Sequence, residues 1–88
     1  MRPQTAAAWV VAVRELLAAV LERPPGALAA LPDETPLFGE TLNLDSFTGM
    51  ALLTAIQARY HIDVAADDLG LDSLETIGTL AAYLAAQP

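Results

Sequence analysis

Residues 42–47 read LNLDSF and lead directly into TGMALLTAIQARY at residues 48–60. The large apolar residues of this stretch recur at spacings of three and four: Leu52, Leu53, Ile56 and Tyr60. That spacing predicts a helix from Ser46 to about Tyr60. Asp45 stands directly before it, where an aspartate commonly accepts a hydrogen bond from a first-turn N–H, here that of Phe47 or Thr48. The sequence therefore predicts a capped helix with an outward-pointing serine in its first turn.

Two further segments show the same spacing. The first predicts a helix that Thr5 caps and that ends at residues 24–26, with the apolar face Trp9, Val10, Val13, Leu16, Leu17, Val20 and Leu21. The second predicts a helix from Ser73 to Ala86, with the apolar face Leu74, Ile77, Leu80, Ala81 and Leu84. Residues 65–69 are expected to form one short helical turn, and only YHIDV at residues 60–64 is weakly strand-like. We expect helices throughout.

Residues 24–45, called here the connecting segment, lack periodicity and contain prolines together with Gly26 and Gly39. They predict a loop of roughly twenty residues, a length at which ordered loops are usually functional. The segment still carries apolar side chains, and we expect these to anchor it across the bundle: Leu28, Leu31, Leu37, Phe38, Leu42 and Leu44.

Composition narrows the classes of function. The 88 residues are sufficient for one domain, and 11 acidic residues against 4 arginines give a formal charge of −7. This excess of negative charge disfavours binding to nucleic acid and to anionic membranes, and it favours binding to basic partners. With no cysteine and one histidine, the chain offers no thiolate nucleophile and no metal cluster, so we do not expect an enzyme. No apolar run is long enough to span a membrane and no export signal is recognisable, so we expect a cytoplasmic protein.

A second Asp-Ser pair occurs in LGLDSL at residues 69–74. Asp72 there precedes Glu75 by three residues, close to a capping box, and a structural role explains Asp72 and Ser73. Three residues after Ser46 stands Gly49, a poor helix former, so local stability explains the first pair less well. Gly49 either leaves room for a bulky group to approach Ser46 or lets the helix pack closely on a neighbour. The sequence leaves both interpretations open.

The order of these parts resembles that of acyl carrier proteins and their peptidyl and aminoacyl carrier relatives, over nearly all 88 residues. The resemblance implies an all-α, small four-helix bundle formed by residues 1–88 as a single carrier domain, with a long loop between helices one and two and a short third helix. It implies that Ser46 receives 4′-phosphopantetheine from coenzyme A, whose thiol carries a substrate as a thioester. The layout favours Ser46 over Ser73, because the family places further helices after its modified serine. Asp45 would also lie near the metal of the modifying transferase.

One departure from the family concerns the second helix. Fatty-acid carriers usually present acidic residues there to basic partner enzymes, whereas FTGMALLTAIQARY at residues 47–60 contains no acid. We therefore expect Phe47, Met50 and Thr54 to contact partners, unless Phe47 and Met50 are ordinary core residues. Asp67 and Asp68 in the acidic flank would steer partners over long range, unless that flank is only a solvated surface.

The resemblance implies a discrete, monomeric acyl or aminoacyl carrier of polyketide, nonribosomal peptide or related specialised metabolism, including antibiotic biosynthesis. Its partners would be a phosphopantetheinyl transferase, a loading enzyme, and a downstream acyltransferase, ketosynthase or condensation enzyme. The alternative is an unmodified helical adaptor that binds a basic protein through its acidic flanks. Trp9 is expected in the core, and His61 at the solvated end of helix two. The sequence does not specify the carried group.

Overall fold

The computed structural model of the chain describes residues 3–24, 26–40, 42–62 and 75–87. Within them the chain forms three α-helices: α1 (Ala6–Val20), α2 (Ser46–Tyr60) and α3 (Ile77–Ala85). The described ranges contain no β-strand beyond a single antiparallel bridge, so the all-α class is confirmed. The short helical turn predicted at residues 65–69 lies outside these ranges, and the fourth helix therefore stays a prediction.

α1 follows its sequence pattern closely. Thr5 is its N-cap, and the Thr5 hydroxyl accepts a hydrogen bond from the Ala8 N–H at 3.0 Å. The amide of Leu21 closes the other end by donating to the carbonyl of Leu17 at 2.9 Å. The predicted cap and apolar face of α1 are therefore confirmed. The predicted end at residues 24–26 is wrong, because α1 ends at Val20 with Leu21 as its C-cap.

The core lies where α1 packs against α2 and α3. Trp9 is 3% exposed, which confirms its predicted burial, and its ring meets that of Tyr60 edge to face with centroids 4.8 Å apart. Aromatic pairs favour this arrangement, and it joins the start of α1 to the end of α2. The most deeply buried side chains come from all three helices and the connecting segment: Val13, Leu17, Leu37, Leu52, Ile56, Ile77 and Leu80. None of the described helices is both long and apolar enough to cross a membrane.

α3 begins later than the sequence predicts. The predicted start at Ser73 is wrong, because α3 begins at Ile77 with Thr76 as its N-cap. Asp72 lies outside the described residues, so the capping box between Asp72 and Glu75 stays a prediction. At the observed start of α3, Thr76 and Thr79 form a capping box. The Thr76 hydroxyl accepts from the Thr79 N–H at 3.0 Å, and the Thr79 hydroxyl accepts from the Thr76 N–H at 2.8 Å. Threonine replaces the usual glutamate at the third helical position.

A contact distant in sequence explains the late start. The backbone at residues 75–77 pairs with the connecting segment at residues 35–37, where the Leu37 amide donates to the Glu75 carbonyl at 3.0 Å and the Ile77 amide donates to the Thr35 carbonyl at 3.2 Å. Thr76 is accordingly extended, with φ −134° and ψ 170°. This pairing takes up the Glu75 carbonyl and the Ile77 N–H and keeps Thr76 extended, so the helix begins only at Ile77.

The connecting segment lies against the bundle through leucines. Leu28, Leu37, Leu42 and Leu44 are between 0% and 6% exposed, and Leu31 is half-buried. Arg14 of α1 also holds the segment, because its guanidinium donates to the Leu31 carbonyl and, at 3.1 Å, to the Asp33 carboxylate. Sequence reasoning missed this role, although Arg14 is the only cation of α1.

Phe38 is an exception among the predicted anchors. Its side chain is 53% exposed, so its predicted burial in the core is wrong. The preceding residue, Leu37, is fully buried, its amide donates to the Glu75 carbonyl, and the chain turns at Leu37 and Phe38. Phe38 is therefore turned outward, where its ring lies against α2.

Candidate functional site

Ser46 is the first residue of α2, and its side chain is exposed. Asp45, the N-cap, has an extended backbone, and its Oδ1 accepts a hydrogen bond from the Thr48 N–H at 2.7 Å. Asp45 thus caps the helix as predicted, through Thr48 rather than Phe47. The cap fixes the first turn, so the Ser46 hydroxyl is held in solvent at the positive end of the helix dipole.

The cap also determines the charge of Asp45. The hydrogen bonds from the Thr48 backbone N–H and then from the Thr48 side chain hold the pKa of the Asp45 carboxyl below its ordinary value. The carboxylate therefore stays ionised at neutral pH beside Ser46. A negative charge at this end of a helix stabilises it.

This lowered pKa predicts a pH-dependent stability. The contribution is complete above the pKa of Asp45 in the unfolded chain, and it is lost as the pH falls through the lower pKa of the folded protein. Asp45→Asn keeps a cap that does not titrate. We expect its melting temperature to lie below that of the wild type near neutral pH, and the difference to narrow in acid. Thermal melts of both proteins across the acidic range measure this, and a difference independent of pH would contradict it.

Gly49 lies one turn after Ser46, under the ring of Phe38. A Cβ added at Gly49 would approach Cε1 and Cζ of that ring at 3.3 Å, which is tighter than ordinary contact. Of the two interpretations left open by the sequence, close packing against a neighbour is the one found in the structure. The neighbour is a half-exposed side chain of the connecting segment rather than another helix.

Beside this contact lies a cavity of about 190 Å³ with an almost wholly apolar lining, called here the Phe38 pocket. Leu37 and Leu44 of the connecting segment are buried in its lining, and Phe38 and Met50 are the large apolar side chains of the lining that are exposed. Ser46 is itself among the lining residues. The structure therefore places an apolar cavity directly next to an exposed serine hydroxyl.

The sequence did not reveal the Phe38 pocket. Its lining comes from residues 37–53, but the inward turn of Leu37 and the outward turn of Phe38 depend on pairing with residues 75–77. The only local signal was Gly49, a glycine in the first turn of a helix that a better helix former would stabilise.

Two large apolar side chains next to Ser46 are exposed. Phe47 is 84% exposed and Met50 is 59% exposed, so the interpretation of these residues as ordinary core is wrong. Thr54 is exposed one turn beyond Met50, and its hydroxyl donates to the Met50 carbonyl at 2.9 Å. The structure thus brings Phe47, Met50 and Thr54 to the surface of α2, whereas Asp67 and Asp68 lie outside the described residues.

A larger groove of about 430 Å³ lies elsewhere, between α1 and the start of the connecting segment. Its lining includes Val11, Arg14, Ala18, Arg23 and Leu28. None of the residues that the sequence singled out for chemistry lines this groove. Size alone would favour it as a site, but the chemistry favours the smaller Phe38 pocket beside Ser46.

A protein-family model described as the phosphopantetheine attachment site matches residues 11–84. The match covers all three described helices except the start of α1 and the last residue of α3. The chain therefore belongs to this family of acyl and peptidyl carriers, which is defined by covalent attachment of 4′-phosphopantetheine. No curated protein and no solved structure matches the chain.

The surroundings of Ser46 fit such a group. A phosphodiester on an exposed first-turn serine lies near backbone N–H groups that have no partner within the helix, and near the positive end of its dipole. Ser46 has that position in α2, and an apolar cavity adjoins it. The hydroxyl is therefore accessible, and its environment accommodates both a negative phosphate and the apolar atoms that follow.

Proposed function

We propose that the chain is an acyl or aminoacyl carrier that receives its phosphopantetheine arm on Ser46. The observation that carries this proposal is the exposed position of Ser46 as first residue of a helix capped by Asp45. In the attachment step the Ser46 oxygen forms a bond to the pantetheine phosphate of coenzyme A, and the adenosine bisphosphate half leaves. Once bound, the arm supplies a thiol that carries a substrate as a thioester.

The roles of this chain's own residues follow from the geometry. Asp45 holds the first turn of α2 and so fixes the direction of the Ser46 hydroxyl. During modification Asp45 would also face the metal of the transferase, a role that the family resemblance implies. We assign the chain the role of a carrier that presents its cargo to partner enzymes, rather than the role of an enzyme.

Intact mass after incubation with coenzyme A and a broad-specificity phosphopantetheinyl transferase tests the proposal. A carrier gains the mass of one phosphopantetheine group. The alternative, an unmodified helical adaptor that binds a basic protein through its acidic flanks, gains nothing under the same conditions. An unchanged mass in a reaction where a known carrier is fully converted would overturn the proposal.

The exposed side chains of α2 support an apolar mode of docking to partner enzymes. Phe47 and Met50 are both mostly exposed next to Ser46, and the sole charge on α2 is Arg59, in its last turn. Exposed ion pairs contribute only about 0–1 kcal/mol each, whereas an apolar side chain buried in a partner's pocket contributes about 2 kcal/mol or more. We therefore assign the main contact to Phe47, Met50 and Thr54, and long-range steering to Asp67 and Asp68.

This docking mode predicts a large loss of transfer for one variant and a small loss for another. Met50→Glu should lower kcat/KM for transfer to or from the arm by roughly tenfold or more, because it would bury an unpaired charge at the contact. The control is Asp67→Asn combined with Asp68→Asn, which should slow transfer mildly and chiefly at low salt. Both proteins are first shown to be folded and fully loaded. If the asparagine pair abolishes transfer while Met50→Glu retains it, docking is electrostatic.

The pathway belongs to the same proposal. A carrier with an apolar docking face is suited to polyketide, nonribosomal peptide or related specialised metabolism in the cytoplasm. Its partners there are a loading enzyme and a downstream acyltransferase, ketosynthase or condensation enzyme. We expect the carrier to act as a monomer. Mass spectrometry of the group released from the arm after incubation with each candidate loading enzyme identifies the cargo.

A further inference from the structure

The Phe38 pocket has no role in the attachment of the arm or in the docking of partner enzymes described above. Its floor is formed by buried leucines, its exposed walls by Phe38 and Met50, and Ser46 belongs to its lining. A cavity of about 190 Å³ with so few polar atoms is unsuited to a charged or strongly hydrated group. An occupant should therefore be apolar, compact and connected to Ser46 or able to approach beside it.

The phosphopantetheine arm contains one compact apolar group close to its point of attachment. A phosphate and a single methylene separate the serine oxygen from a quaternary carbon that bears two methyl groups. A hydroxyl, two amides and the thiol follow along the arm, and these polar groups gain from staying in water. The geminal dimethyl group is thus the part of the arm that an apolar cavity next to Ser46 would select.

We propose that the Phe38 pocket binds the geminal dimethyl group of the arm attached to Ser46, with the ring of Phe38 as one wall. This inference rests on the proposed function, since it requires the arm on that serine. The arm then lies against α2 in the free carrier, and a partner enzyme that draws the arm into its own active site must first release it from the pocket.

The position of the pocket distinguishes this occupant from the cargo. The carried group hangs beyond the amides at the far end of the arm, so placing it beside Ser46 would require the whole arm to fold back. The dimethyl group reaches the same place with no such folding. Gly49 contributes as well, because a side chain there would press on the ring of Phe38 at 3.3 Å and alter this wall.

NMR of the loaded carrier tests the proposal directly. Coenzyme A labelled with ¹³C in the two geminal methyl groups is used to load the wild type, and intact mass confirms one arm per chain. We expect the two methyl signals to move further apart than in free labelled coenzyme A and to shift upfield, because groups packed against the face of an aromatic ring are shielded by its ring current. We also expect nuclear Overhauser contacts from these methyl groups to the side chains of Phe38 and Met50.

Two matched variants assign the effect to the pocket wall. Phe38→Leu keeps an apolar wall but removes the ring, so the upfield shift should disappear while the contacts to Met50 persist. Phe47→Leu removes the other phenylalanine near Ser46, which does not line the pocket, and should leave the methyl shifts nearly unchanged. Both positions are largely exposed, so both variants should fold.

The outcomes separate this inference from the proposed function. If no mass is added, the proposed function fails. If the arm is added but its methyl signals match those of free coenzyme A and show no contacts to Phe38 or Met50, only the pocket assignment fails. Loss of the shift in Phe47→Leu, with no change in Phe38→Leu, would likewise overturn the assignment, because the arm would then lie on the other side of Ser46.

Discussion

Ser46→Ala should remain at its unmodified mass after incubation with coenzyme A and a phosphopantetheinyl transferase under conditions that convert the wild type completely. The substitution removes the only atom through which we expect the arm to be attached. It should leave the fold intact, because the Ser46 side chain is exposed and the cap of α2 comes from Asp45. Circular dichroism and a thermal melt verify the fold, and intact mass spectrometry measures the loss.

Ser73→Ala is the matched control, since Ser46 and Ser73 are the two serines of the chain and each follows an aspartate. We expect it to be converted as completely as the wild type. If Ser46→Ala still gains the mass of an arm while Ser73→Ala does not, LGLDSL rather than LNLDSF is the attachment sequence.

Leu37→Ala should destabilise the fold by about 2–5 kcal/mol, a large part of the roughly 5–15 kcal/mol that stabilises a typical domain. Leu37 is fully buried where the connecting segment meets the core, and its truncation leaves a cavity that the surrounding side chains fill only partly. Urea denaturation, with the slope of the transition compared between variants, measures the change. A loss below about 1 kcal/mol would mean that the segment is not anchored there.

The adjacent residue supplies the control for this prediction. Phe38 is larger than Leu37, yet it is 53% exposed, so Phe38→Ala should cost clearly less than Leu37→Ala. The sequence pattern predicts that both residues anchor the segment, whereas the structure shows only Leu37 buried. Which of the two variants loses more stability decides between these alternatives. A greater loss from Phe38→Ala would indicate that its ring, and not Leu37, is packed in the core.

Much of the helical structure follows from local patterns. The bounds of α2 and the cap at Asp45 are evident in the sequence, because periodicity and capping depend on residues within one or two turns. The same is true of the cap of α1 at Thr5. The start of α3 is different, since the backbone at Glu75 and Thr76 pairs with residues 35–37 from the other half of the chain.

The candidate site likewise has one part that local sequence predicts and one part that depends on distant contacts. The exposure of Ser46 at a capped helix start is a local property, and the motif sufficed to predict it. The Phe38 pocket depends on which of two consecutive apolar residues turns inward, and the inward residue, Leu37, is held by the hydrogen bond from its amide to the Glu75 carbonyl. No pattern within the connecting segment distinguishes Leu37 from Phe38 as the inward residue.

A tryptic map of the loaded wild type shows directly which serine carries the arm. Arg59 separates the two serines, so cleavage after Arg14 and Arg59 places Ser46 in the peptide 15–59 and Ser73 in the peptide 60–88. We expect the mass of phosphopantetheine entirely in the peptide 15–59, with fragment ions that locate it on Ser46. The same mass in the peptide 60–88 would contradict the assignment.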